Sequence, residues 1–148
     1  MQDSLFYIEK GYLDADENVF FLRHADACNC FGHSYKQFYK ALARHAVEPE
    51  LTIWFPKLLE NGEWHNSISN DGETIFERRK YQNEDFIKES LSLPENFKRL
   101  VFTKVRTTTG EVYRFQGLYE IDAETSLRTL TITHRRKAKQ VKTYPPVK

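Results

Sequence analysis

This sequence is poor in the features that mark several classes of protein. Two cysteines among 148 residues, Cys28 and Cys30, cannot build a disulfide framework. No apolar run approaches the roughly 18 residues of a membrane-spanning helix, so no membrane partner is expected. The opening Met1-Gln2-Asp3-Ser4 lacks the basic start and apolar stretch of a secretory signal, which points to the cytoplasm. Gly-x-Ser-x-Gly, P-loop, His-Glu-x-x-His and zinc-deaminase patterns are all missing. There is no internal repeat and no low-complexity segment. What remains is an ordinary folded composition, with 29% charged and 14% aromatic residues. Its length suits one domain over residues 1–148.

The net charge of +1 hides an asymmetry. Residues 1–100 hold 12 Lys and Arg against 17 Asp and Glu, while residues 101–148 hold 10 against 4. The excess concentrates in His134-Arg135-Arg136-Lys137-Ala138-Lys139-Gln140-Val141-Lys142. Such a patch suits a polyanion, since each neutralised phosphate releases counterions, and it equally suits a solvated basic surface. His24, Cys28, Cys30 and His33 offer four ligand types for a metal, but not at the spacing of structural zinc sites. They read as small buried thiols beside ordinary histidines, and no metal or cofactor is expected.

Leu5 to Leu22 reads as two strands joined at the polar break Asp14–Asn18. Ser34 to His45 has Tyr35, Phe38, Tyr39 and Leu42 at helical spacing and Ser34 as an N-cap, which predicts a helix. Leu51 to Phe55 predicts a buried strand stopped by Pro56, with Trp54 in the core. Asn83 to Leu91 predicts a short helix closed before Pro94. Leu100–Val105 and Val112–Ile121 predict strands linked near Thr109-Gly110, and Leu127–His134 a further strand. Tyr144-Pro145-Pro146 makes a non-regular end. Seven or so strands with two short helices indicate an α+β fold built on a curved, partly closed β-barrel.

The most informative segment runs from Trp64 to Arg79. Asp71-Gly72 is a hairpin signal, because both positions accept the positive φ of a type I′ turn. Paired residues then sum to 143, so Asn66 faces Glu77 and Ile68 faces Ile75. Alternation puts Trp64, Asn66 and Ile68 on one face with Ile75, Glu77 and Arg79, and His65 on the other. An aromatic plate, an amide and a carboxylate side by side are the groups needed to hold a flipped cytosine. The same three residues also suit a packed Trp64 beside an ordinary cross-strand pair.

Trp-x-Asn with a Glu thirteen positions after the Trp resembles the base pocket of the SRA-like domain in modification-dependent restriction endonucleases of the AbaSI type. The segment Tyr113-Arg114-Phe115-Gln116-Gly117-Leu118-Tyr119-Glu120 is similar to the aromatic-Gly-Leu-Tyr run of SRA domains, which belong to the wider PUA-like barrel group. The resemblance implies a module that binds double-stranded DNA containing 5-hydroxymethylcytosine or a related modified cytosine. It implies a base flipped onto Trp64, with Glu77 accepting from the 4-amino group. Asn66 serves the ring edge or the 5-hydroxymethyl hydroxyl, and Glu77 is the alternative partner for that hydroxyl. In those enzymes the domain follows a nuclease domain for which this sequence has no segment. A separate nuclease partner is therefore the implied route to cleavage.

Tyr113, Phe115 and Tyr119 alternate along one strand and suit both a second pocket wall and the core. Arg78, Arg79, Lys80, Arg135, Arg136 and Lys137 are candidates for DNA-backbone contacts, which set affinity and salt dependence rather than base choice. Two other functions remain open. A small endonuclease could use Asp71, Glu73, Glu77 and Lys80 around a divalent metal, although Lys80 stands one residue late for the restriction-type pattern. A PUA-like RNA-binding module is the other, and the 2′-hydroxyl would distinguish it.

Overall fold

The computed structural model describes residues 2–58, 64–79 and 82–147, and at Trp64 the backbone only. The chain opens on a helix rather than a strand, α1 (Ser4–Lys10). Asp3 caps it by accepting from Phe6 N at 3.0 Å, and Gly11 at φ +94° ends it. These caps override the β-rich Phe6-Tyr7-Ile8. Strand β1 (Tyr12–Asp14), a 3-10 turn (Ala15–Glu17) and β2 (Phe20–Phe21) follow, with the turn at the expected polar break.

Helix α2 (His24–Cys28) comes next, and the helix expected over Ser34–His45 does not form. The Asn29 side chain holds both backbone groups of Tyr35, at 2.8 Å to its N–H and 3.0 Å to its carbonyl. The rings of His33, Tyr35 and Phe38 stack in series at 4.3 and 4.8 Å, so the aromatic spacing is satisfied outside a helix. Leu42–Arg44 instead becomes β3, paired with β4 (Leu51–Trp54).

The hairpin strands are β5 (Trp64–Ile68) and β6 (Thr74–Arg79). Helix α3 (Glu84–Leu91) forms where a short helix is expected and is capped by Asn83. Two long strands, β7 (Lys98–Thr107) and β8 (Gly110–Ile121), form the spine. The strand expected over Leu127–His134 is divided. Asp122 accepts from Thr125 N at 3.0 Å and caps α4 (Ala123–Thr129), and Leu130 turns the chain at φ +54°. Only then does β9 (Ile132–Ala138) begin, followed by β10 (Gln140–Lys142).

The main sheet runs β3-β4-β7-β8-β9-β6-β5, with β2 also paired to β8, and β1 pairs β10 separately. All pairings are antiparallel except β4 with β7. Among the described residues strands β3 and β5 end the sheet without pairing to each other, so it is a curved open sheet and not the partly closed barrel expected. Phe21, Phe31, Ile53, Phe55, Leu100, Phe102 and Phe115 fill the main core on one face. Each buries enough apolar area to contribute about 1.5–3 kcal/mol. Trp54, Ile75, Val101 and Tyr119 form a second cluster, with Ile68 against it.

A bulge in β8 divides these two clusters. Val101 pairs with Gly117 but Phe102 pairs with Phe115, leaving Gln116 as the extra residue. Gly117 takes φ +119°, and a Cβ there would lie 2.5 Å from the Ala138 carbonyl oxygen. Residues 118–121 therefore point opposite to the alternation set by Tyr113 and Phe115.

Candidate functional site

The hairpin forms in the register read from the sequence, with Trp64 opposite Arg79, Asn66 opposite Glu77 and Ile68 opposite Ile75. Its turn is wider than the type I′ expected. Ser69 O accepts from Gly72 N, Ser69 N donates to Thr74 O, and Asp71 Oδ1 accepts from Ser69 Oγ and Glu73 N. Gly72 takes the positive φ of +75° and Asp71 does not. The Asp71 side-chain bonds hold the loop, so a different turn preserves the same pairing.

Asn66 and Glu77 lie on the sheet face that carries Trp54, Ile75 and Tyr119. Two further residues join them. Strand β9 brings His134, whose Nε2 is 3.0 Å from Glu77 Oε1. Strand β7 brings Arg99, whose Nη1 is 3.5 Å from the same oxygen. Arg99 is 4% exposed and His134 fully buried, so both meet Glu77 away from water. The Arg99 guanidinium lies 4.4 Å from the centre of the Trp54 ring, and the Trp54 and His134 rings are 5.0 Å apart. Arg99 Nη2 also donates to Asn96 Oδ1 at 2.7 Å.

Burial alone would raise the Glu77 carboxyl. The His134 hydrogen bond and the Arg99 charge outweigh it and hold Glu77 below its ordinary range. Burial pushes the His134 imidazole down, against the pull of Glu77, so it is neutral at pH 7 and donates through Nε2–H. Among the described residues several buried polar atoms here have no hydrogen-bond partner: Asn66 Oδ1, Arg99 Nε, His134 Nδ1 and, apart from its ion pair with Glu77, Arg99 Nη1. Buried polar groups are normally satisfied, so this concentration of unmet valences sets the face apart from an ordinary packed sheet.

The SET and RING associated (SRA) domain family matches residues 6–143. The chain belongs to the SRA family. Among solved structures it is similar to the 5-hydroxymethylcytosine-specific restriction enzyme AbaSI, with a TM-score of 0.83 and 33% identity. That match covers 98% of this chain and 46% of AbaSI, so the chain spans less than half the length of that enzyme. Curated proteins gave no match.

The other expected site residues of this SRA domain are dispersed by the fold. Phe115 is fully buried in the main core, 5.2 Å from Phe102. Tyr113 packs on the same side, 4.6 Å from His24 and 5.7 Å from Phe55. Tyr119 is on the opposite face, because the Gln116 bulge breaks the alternation that would have aligned all three. Its buried hydroxyl donates to Gly72 O, and burial pushes its pKa up to about 12. It supports the hairpin turn from below.

Of the basic candidates, Arg135 binds Asp122 at 3.1 Å and Thr74 Oγ1 at 3.2 Å. Arg136 reaches Asp71 O, Gln116 O and Glu73 Oε1 at 3.0, 3.2 and 2.9 Å. Both hold the hairpin to β8 and β9. Arg79 lies over the Phe86 ring, whereas Arg78 and Lys137 are exposed. Lys80 and the Trp64 side chain lie outside the described residues. Cys28 and Cys30 are buried free thiols, and burial raises Cys28 to about 12. His24 and His33 bond the carbonyls of Lys40 and Arg44. Among the described residues no group of three or more His, Cys, Asp and Glu is placed to hold a metal ion.

Sequence reading missed Arg99 and His134. One signal for His134 was present, since it follows Ile132 at period two and so shares the inward side of β9. Arg99 stands between Lys98 and the apolar Leu100-Val101-Phe102, where a charged residue on a buried strand needs a partner.

Proposed function

We propose that this chain is a reading module for modified cytosine in double-stranded DNA and carries no catalytic centre of its own. The nucleotide leaves the duplex, and its ring stacks on Trp64. Glu77 accepts from the 4-amino group, while Asn66 serves the ring edge or a 5-hydroxymethyl hydroxyl. The observation that carries this reading is the Asn66–Glu77 pair on a sheet face rich in buried unpaired polar atoms, in a chain of the SRA family. The likeness to a 5-hydroxymethylcytosine-specific enzyme names the mark to try first. Cleavage, where it occurs, belongs to a nuclease acting alongside this domain.

An unpaired polar group in such a site costs about 1–3 kcal/mol, so one hydroxyl contact separates 5-hydroxymethylcytosine from cytosine by roughly 5- to 150-fold. The test is a titration at fixed salt of duplexes carrying one 5-hydroxymethylcytosine, 5-methylcytosine or cytosine, with single-stranded RNA as a fourth arm. The first should bind tightest, and equal affinity for all four rules the reading out. Supercoiled modified DNA incubated with magnesium or manganese should stay un-nicked.

A further inference from the structure

Glu77 is gripped on one side only. Both Arg99 Nη1 and His134 Nε2 fall on Oε1, at 3.5 and 3.0 Å, and no donor among the described residues falls on Oε2. The two gripping groups are themselves fixed. Arg99 lies on Trp54 and donates to Asn96, while His134 sits within the ladder, its Cα opposite Ile75 on one side and Ile121 on the other.

We propose that Arg99 and His134 are positioning residues that occupy one oxygen of Glu77 and aim the other, and so set a preference for a 4-amino over a 4-oxo pyrimidine. This rests on the reading that Glu77 meets the base edge. A carboxylate accepts and cannot donate, so the 4-amino group of a cytosine satisfies it and the 4-oxo group of a uracil opposes it. A carboxylate free to swing would evade that conflict by turning to the N3–H of the uracil ring. Glu77 cannot turn without leaving Arg99 buried beside no counter-charge. Holding the carboxylate still is therefore what makes it discriminate.

The grip also keeps the carboxylate ionised. The charged and titratable groups facing Glu77 are Arg99 from β7 and His134 from β9, and Glu95 acts on Arg99 in turn. Removing the His134 donor leaves burial to raise Glu77, so the base preference is lost at a higher pH.

The test compares affinities for two otherwise identical duplexes, one with a single 5-hydroxymethylcytosine opposite guanine and one with 5-hydroxymethyluracil opposite adenine. The wild type should favour the cytosine duplex by about tenfold or more. His134→Leu should lower the ratio and move its acid limb to higher pH. His134→Gln, whose amide nitrogen takes the place of Nε2, should restore both. Arg99→Met should act like His134→Leu, and the two His134 variants carry the test if it does not fold, as judged by circular dichroism. A wild type that prefers 5-hydroxymethylcytosine over both cytosine and 5-hydroxymethyluracil, with His134→Leu keeping the full ratio and its pH limb, overturns the positioning role and leaves the base reading standing. A wild type that binds every duplex equally removes the base reading, and this inference with it.

Discussion

The guanidinium of Arg99 lies over the Trp54 ring, 4.4 Å from its centre, with both side chains almost entirely out of water. A buried cation needs compensation from several directions at once. Arg99 has the face of an indole, the Glu77 carboxylate and the Asn96 amide oxygen. These contacts tie β6 to the neighbouring strands β4 and β7 through side chains, across a sheet whose backbone order puts β8 and β9 between them.

Removing one partner of the buried pair should cost far more than removing both. Arg99→Ala should lower stability by about 3–5 kcal/mol in urea denaturation, because Glu77 is left buried without its counter-charge. The double variant Arg99→Met with Glu77→Gln should lose clearly less than the sum of the two single losses. Strict additivity would show that the two charges do not interact.

Stability should fall as the solution is acidified, in two stages. His24, His45 and His134 have folded pKa values below the ordinary 6.5, first because burial disfavours the cation. Their stabilisation is complete above pH 6.5 and is lost as pH falls from there through their folded values. Glu77, also depressed, adds a second loss below its ordinary 4.5. Urea midpoints measured from pH 8 to 4 should decline, and His134→Gln should flatten the upper part of that decline. An unchanged slope in the variant would mean that His134 does not titrate as argued.

Gly117 and Gly110 should respond differently to alanine. Both have positive φ, +119° and +134°, so each substitution carries backbone strain of about 1–3 kcal/mol. Only at Gly117 would the new methyl meet backbone, the Ala138 carbonyl at 2.5 Å, whereas Gly110 has open space. Thermal melting should place Gly117→Ala well below Gly110→Ala, and equal melting temperatures would refute the close approach of β8 and β9.

Trp64→Ala should remove base preference and leave salt-sensitive binding to unmodified duplex. A base stacked on an aromatic ring gains about 1–3 kcal/mol, so the affinity for 5-hydroxymethylcytosine duplex should fall by roughly 5- to 150-fold. A variant that fails to fold would mark Trp64 as a packing residue instead.

Arg136 and Lys137 should separate cleanly despite being neighbours. Lys137 is exposed, and Lys137→Ala should leave stability within about 0.5 kcal/mol. If Lys137 meets a phosphate, the slope of log affinity against log salt should shrink by about one. Arg136→Ala should instead destabilise by about 1–3 kcal/mol, because two carbonyls and Glu73 lose their donor. A stable Arg136→Ala with a reduced salt slope would reverse these assignments.

The hairpin could be read from sequence because its determinants are local. Turn residues and alternation over Trp64–Arg79 fix the pairing, and it survived even though the turn itself is of another kind. Local reading failed where a single side chain redirected the backbone. Asp3 and Asp122 cap helices in β-rich surroundings, and Asn29 diverts the helically spaced Tyr35–Leu42. Arg99 and His134 stayed hidden for a different reason. Their roles depend on β7 and β9 lying in one sheet with β6, and nothing within either strand announces that order.

The extra residue at Gln116 has a consequence for how β8 tolerates change. Upstream of it, a side chain such as Phe115 answers to the main core; downstream, Tyr119 answers to the hairpin turn. One strand thus carries two phases of alternation, joined at a glycine. Deleting Gln116 would therefore not disturb the faces of the later residues but would merge the two phases into one regular alternation, with Leu118 still against the main core and Tyr119 still under the hairpin. Related chains are therefore best compared in β8 as two separately phased segments, with the join held at the glycine.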